Sequence, residues 1–323
     1  MREPGRVSGA RAARGGARFA EVARAYLERH AKPRKRSWRE DARILARDVL
    51  PRWGARCARS ITAREVRELL DAIVDRGAPI QANRTFAVVR RIFNWAAAPD
   101  RAFVPQSHNP CRGLERPAPE RQRERVLNDR ELRAVWRALE GEGGQVAGLF
   151  QLYLLTAQRD GELRTMAWAD VDLDAGWWIV PGERSKNGHA HRVPLSALAV
   201  GVLRALPRTR ASRWVFPTPR QSATGHRARI YKAVHRLRRA SGVTDFTPHD
   251  LRRTAASGMT SMGIPRLTVA KLLNHAERGV TAVYDRYGYD REKREALEAW
   301  ATRLETIVRG DGERTRVIGF RTG

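Results

Sequence analysis

Apolar positions in the first hundred residues recur at helical spacing. Phe19, Val22, Ala23, Tyr26 and Leu27 share one face. So do Trp38, Ala42, Leu45 and Val49, then Val66, Leu69, Leu70 and Ile73, then Phe86, Val89, Ile92, Phe93 and Ala96. Ser37 with Glu40, and Thr62 with Glu65, form capping-box patterns ahead of the second and third stripes. Gly77 suits a helix stop. The pattern predicts four helices within residues 18–104, apolar stripes inward and arginines outward, enough to bury one small core. Arg84, Arg90 and Arg91 can line a groove on the outer side of the fourth helix, although each alone reads as a solvated face residue.

Two stretches lack any apolar period. Residues 1–17, rich in Gly, Ala and Arg, read as a flexible basic tail. Residues 105–125, rich in Pro, Arg and Glu, read as an interdomain linker. Beyond them the periods are mixed. A helix opens at Asn128, with Glu131 three residues on, and a buried helix spans 146–156. Strands at 177–180 and 191–195 flank a turn at Lys186-Asn187-Gly188, because Asn-Gly favours positive φ. Further helices are expected near 196–206, 227–240, 247–262, 265–274, 280–287 and 291–308. The expected fold class is mainly α with a small antiparallel β-sheet. The helical domain at 18–104 and the linker precede an α+β domain at 126–309 and a C-terminal tail at 310–323.

Charge then narrows the partner. The chain has 323 residues and a formal net charge of +27. That length suggests two domains and a substantial core. A charge of this size points to a polyanion, with nucleic acid first, since neutralising phosphates releases counterions. An arginine-rich proteome could inflate the charge but would not order motifs. No run of about 18 apolar residues exists, so no membrane span is expected. The N-terminus lacks the apolar core of a secretory signal. Cys57 and Cys111 stand in unrelated contexts, which argues against a disulfide framework or a Cys-rich zinc site and fits a reducing cytosol. A cytoplasmic location is expected.

Several segments carry chemistry. Thr247-Pro248-His249 starts a helix, with Thr at the cap and Pro in the first turn. His249 then sits where the helix dipole favours an anion, and Arg252 lies on the same face. Arg253 points elsewhere, toward an acid. Arg159 precedes Gly161-Glu162-Leu163, where Glu162 can hold an arginine by a bidentate pair. Lys186 stands on a hairpin tip, as a solvated turn lysine or as a proton donor. His275 follows Leu272-Leu273-Asn274, and Tyr284 lies nine residues later. Tyr287 and Tyr289 are rivals of Tyr284. His189 and His191 alternate on a strand without a third metal ligand at suitable spacing. A phenol, guanidinium groups, a proton donor and a rigid frame are what metal-free attack on a phosphodiester needs. Tyrosine is a poor nucleophile at its free pKa of about 10, so a cationic pocket would favour its phenolate.

In order and spacing these boxes resemble the tyrosine recombinases, the phage-integrase family. The likeness covers residues 126–308, and more weakly 19–115. The family's Thr-Gly-x-Arg-x-Gly-Glu-Leu box matches Thr156 to Leu163, with Ala157 in place of glycine. Its hairpin lysine matches Lys186, and its His-x-Leu-Arg box matches His249, Leu251 and Arg252. Its Leu-Gly-His box appears as Leu273-Asn274-His275. The family tyrosine follows that histidine by nine residues, which selects Tyr284.

The resemblance implies a C-shaped clamp on double-stranded DNA and a site-specific recombinase. Tyr284 would attack the scissile phosphate to give a 3′-phosphotyrosyl bond and a 5′ hydroxyl. Arg159, Arg252, His249 and His275 would stabilise the phosphorane, and Lys186 would protonate the leaving oxygen. No cofactor, ATP or divalent metal is implied. Homotetramers on DNA are implied, and an accessory bending or excision factor is a possible partner. Before Phe19 there is no room for the arm-binding domain that many integrases carry. Two other readings stay open: a type IB topoisomerase, with the same phosphotyrosine chemistry, and a non-catalytic DNA-binding protein on this scaffold.

Overall fold

The structure is a computed structural model that describes residues 16–120, 122–208, 212–218, 225–227, 230–275 and 287–310. The tail expected at 1–17 lies almost wholly outside the described residues. So do nearly all of the helix expected at 280–287 and the tail beyond Gly310. The chain divides into two compact units between Gln122 and Arg123. The described part is mostly helical, with one small antiparallel sheet.

In the first unit, helix α1 runs over 19–34 and α2 over 38–53, each widened midway by a π segment, Leu27–Ala31 and Leu45–Val49. Helices α3 (Ala63–Asp75) and α4 (Pro79–Ala96) follow and pack on each other. The four apolar stripes meet in one core, where Phe19 stands edge-on to Trp53 with ring centroids 5.7 Å apart. Thr62 caps α3 reciprocally: its Oγ1 accepts from the Glu65 amide at 3.3 Å, and Glu65 accepts from the Thr62 amide at 2.9 Å. The matching expectation at Ser37 fails. Its side chain makes no capping bond, and Glu40 pairs with Arg43 at 2.6 Å instead. A nearby guanidinium outcompetes a backbone amide for a carboxylate.

The segment expected as a linker is largely part of this unit. Cys111 is buried, and Asn83 clasps Ala118 from both sides, donating to its carbonyl at 2.8 Å and accepting from its amide at 3.1 Å. Side-chain to backbone bonds of this kind leave no periodic trace.

The second unit opens with α5 (Asp129–Glu140), capped by Asn128 as expected. Helix α6 (Gly144–Thr156) is buried along most of its length, so its sequence is apolar all round. A short helix α7 (Asp160–Arg164) leads to strands β1 (Val171–Asp172), β2 (Trp177–Val180) and β3 (His191–Pro194), in the order β1-β2-β3. Trp178 pairs with Val193 and Val180 with His191, all four turned to the core, while Ile179 between them is exposed. Then come α8 (Ala197–Ala205), α9 (Tyr231–Ser241), α10 (Pro248–Ser261), α11 (Arg266–Leu272) and α12 (Asp290–Arg309). Helix α10 packs along α6, and α12 packs on α10, α11 and β3. The α10–α12 contact is close. A Cβ on Gly258 would lie 2.2 Å from the Trp300 ring, whose Nε1 donates to the Leu154 carbonyl at 2.8 Å. No helix among the described residues is long and apolar enough to cross a membrane.

Candidate active site

Four pieces of the second unit converge. They are the turn after α6, the β2–β3 hairpin, the start of α10 and the turn after α11. Two of these turns use left-handed backbone. Ala157 has φ 53° and Asn274 has φ 49°. These are the two positions where the resembled boxes carry glycine, and the geometry gives the reason, since glycine enters this region without a Cβ penalty. Asparagine tolerates it better than alanine does.

Both left-handed turns point carbonyls at arginines. Arg252 is buried and donates from Nη1 to the Ala157 carbonyl and from Nη2 to the Leu273 carbonyl, each at 2.7 Å. Its Nη2 also lies 3.4 Å from His275 Nε2. Arg159 donates from Nη2 to the next carbonyl, that of Asn274, at 3.0 Å. The two guanidinium groups therefore end on consecutive carbonyls. Burial and the neighbouring Arg159 charge push the Arg252 pKa down to about 10, which still leaves it charged at neutral pH.

Glu162 organises the site differently from the expected fork. Its Oε1 accepts from Arg159 Nη1 at 3.2 Å and from the Lys186 amide, also at 3.2 Å, while Oε2 accepts from the Arg159 amide at 3.3 Å. The carboxylate is thus shared between an arginine and the hairpin, which a local motif cannot reveal. Lys186 itself is exposed. His249 lies at the first turn of α10, and Asp250 behind it is wholly buried. Asp250 accepts from the Thr247 amide and hydroxyl at 2.9 and 2.8 Å, from Arg123 at 2.8 Å and from Arg253 at 2.8 Å. Arg253 thus serves the acid behind the helix, as expected.

The histidines report the local field. Burial, then the charges of Arg253, Arg252 and Lys186, hold the His249 pKa below its ordinary value, against a smaller opposing pull from Asp250. Burial, then Arg252, Arg159, His249 and Lys186, do the same for His275. Both imidazoles thus sit in a positive field that disfavours their protonation. His191 lies elsewhere in the chemistry. It is buried, its Nε2 lies 3.0 Å from the Leu272 carbonyl, and burial first of all pushes its pKa down to about 4. It braces the turn after α11. His189 is exposed, and among the described residues no group of three or more His, Cys, Asp or Glu could hold a metal ion.

Tyr284 lies outside the described residues. Its rivals are described. Tyr287 is 57% exposed and its hydroxyl donates to Glu292 at 3.2 Å, a bond that raises the phenol pKa. Tyr289 stacks edge-on against Tyr287 with Lys271 over its ring. A phenol donating to a carboxylate holds its proton, which is the wrong state for a nucleophile.

In the first unit, Arg84, Arg90 and Arg91 are all exposed and line one cleft of about 850 Å³ with His30, Arg101 and Arg116. Burial, then Arg34, Arg91 and Arg101, lower the His30 pKa, the mark of concentrated positive charge. Residues given no functional role from the sequence are Ser185, Asn187 and Asn274. The usable signal was an asparagine two residues past the end of α11, just beyond its C-cap Leu273, where left-handed backbone is common.

Comparison with known proteins bears on this geometry. The family model described as "Phage integrase family" matches residues 125–291, and that of the "Phage integrase central domain" matches residues 19–114. The chain is 29% identical over 273 residues to prophage integrase IntZ of Escherichia coli K12, covering 83% of this chain and 66% of that one. It is 29% identical over 177 residues to the shufflon-specific DNA recombinase of Escherichia coli, covering 54% of this chain and 44% of that one. The chain thus spans less than two thirds of the length of these relatives. In fold it resembles a lambda integrase tetramer bound to a Holliday junction, with TM-score 0.65 at 20% identity, over 84% of this chain and 83% of that one.

Proposed function

The chain belongs to the phage integrase family, and from that premise we propose that it is a site-specific DNA recombinase acting through a covalent 3′-phosphotyrosyl intermediate. The observation that carries the reading is the meeting of Arg159 and Arg252 on the consecutive carbonyls of Leu273 and Asn274. Their charges repel, Glu162 and the carbonyls offset only part of that, and a bound anion would relieve the rest. A scissile phosphate is such an anion, and the charge that grows on it during attack is stabilised by donors already in place.

In the step, the Tyr284 phenol oxygen bonds to phosphorus and the bond from phosphorus to the 5′ oxygen breaks. The phenol proton passes to His249, at the first turn of α10. Lys186 gives its proton to the departing oxygen, leaving a 5′ hydroxyl. Arg159, Arg252 and His275 hold the pentacoordinate phosphorus. Attack by a 5′ hydroxyl from a second strand reverses each transfer and rejoins DNA without loss of bond energy. Arg84, Arg90 and Arg91 contact phosphates of the flanking duplex, which positions the protein without reading sequence. A homotetramer on two DNA sites fits this exchange.

The test uses nicked suicide duplexes carrying the direct repeats at the boundary of the genomic element that encodes the chain. Tyr284→Phe should abolish covalent protein–DNA complexes while DNA binding stays near wild type, and Tyr287→Phe should form them normally. The opposite pattern would reject Tyr284 as nucleophile.

A further inference from the structure

Three consecutive residues at the tip of the β2–β3 hairpin are each tied to the body of the second unit. Ser185 Oγ accepts from Asn274 Nδ2 at 3.1 Å. The Lys186 amide donates to Glu162 at 3.2 Å. Asn187 Nδ2 donates to the Asn274 carbonyl at 2.6 Å, with Asn274 Oδ1 3.3 Å away. Two of the three ties run to one residue. Asn274 also gives its carbonyl to Arg159 and is followed directly by His275.

We infer that Asn274 is a positioning residue for Lys186: its side chain latches the hairpin so that the exposed lysine is presented to the leaving oxygen. The physical case is one of restraint. The strands end at Val180 and resume at His191, and an exposed connection of that length is mobile unless side chains hold it. A lysine has four rotatable carbons of its own, so motion of its backbone would further lower the fraction of time its ammonium meets the leaving oxygen. Asn274 serves because its left-handed turn aims a short amide at the hairpin, where glycine would supply the turn and no tie.

The inference rests on Lys186 being the proton donor, so the test separates the two ideas. Cleavage rates are measured on two suicide duplexes, one with the ordinary 5′ oxygen leaving group and one with a bridging 5′ sulfur. When the bond from phosphorus to sulfur breaks, the thiolate departs without needing a proton. Asn274→Gly keeps the left-handed turn and its carbonyl while removing the side-chain tie; Ser185→Ala removes the acceptor of that tie from the other side. On the oxygen duplex, Asn274→Gly should slow cleavage roughly 10-fold, short of the loss of about 10²-fold or more for Lys186→Ala. Ser185→Ala should slow it in the same direction. On the sulfur duplex all three variants should return close to the wild-type rate, with DNA binding unchanged throughout. Recovery of Lys186→Ala without recovery of Asn274→Gly would overturn the latch and leave the donor standing. So would an unslowed Asn274→Gly on the oxygen duplex. Failure of Lys186→Ala to recover on sulfur would overturn the donor role and the latch with it.

Discussion

Arg252 donates to the carbonyl of Ala157 at 2.7 Å, across 95 positions of sequence. The guanidinium of α10 is thus aimed by a left-handed turn at the end of α6, and its second bond, to Leu273, ties the turn after α11 to the same group. The fork does two tasks at once. It fixes three segments of backbone and places a buried positive charge beside Arg159.

Arg252→Lys tests the fork. A lysine carries a point charge and cannot match the two-pronged geometry. Strand cleavage should fall by about 10²-fold or more, the scale of losing a transition-state donor. Unfolding free energy should drop by about 1–3 kcal/mol because a buried carbonyl loses its partner. Equal cleavage by the variant in a single-turnover assay would show that charge alone suffices.

His191 should make stability depend on pH. Its folded pKa, about 4, lies below the ordinary value of 6.5. Above pH 6.5 both folded and unfolded states are neutral there and the full stability is present. As pH falls toward 4, the unfolded chain takes up the proton first and stability is lost, by up to about 3 kcal/mol. Urea unfolding at pH 7 and pH 4.5 should show a larger loss for the wild type than for His191→Gln, whose amide can still donate to Leu272. Parallel losses would mean the histidine titrates normally.

Cleavage should proceed in excess chelator. On the proposed mechanism the charge at the phosphate comes from the Arg159 and Arg252 guanidinium groups and the Lys186 ammonium, so no metal is called for. Covalent complex on a suicide duplex, followed with and without EDTA, decides the matter; loss with EDTA and recovery with magnesium would reject the mechanism.

Gly258→Ala should destabilise the second unit. The added methyl would meet the Trp300 ring at 2.2 Å, and that ring cannot swing aside freely because its Nε1 is bonded to Leu154. Overpacking of this kind costs about 1–3 kcal/mol. The midpoint of urea unfolding should fall, and an unchanged midpoint would show that α12 shifts without cost.

The sequence by itself determined the long helices among the described residues, because apolar residues three and four apart have one way to be buried together. It determined the caps at Thr62 and Asn128, where donor and acceptor are local. It also determined which residue types stand in the boxes around Arg159, Lys186, His249, Arg252 and His275. It did not show that Ser37 fails as a cap, that residues up to Ala118 belong with the first unit, or that Glu162 is shared between Arg159 and the hairpin. Those outcomes turn on competition between partners distant in sequence, and a periodic pattern records burial rather than pairing. Only the tertiary structure decided that Ala157 and Asn274 adopt left-handed backbone, that their turns present carbonyls to two arginines, and that Asn274 also grips the lysine hairpin. Positive φ at a non-glycine residue costs energy locally. It persists here because contacts from α10 and the hairpin hold both turns in place, and those contacts exist only once the chain is folded.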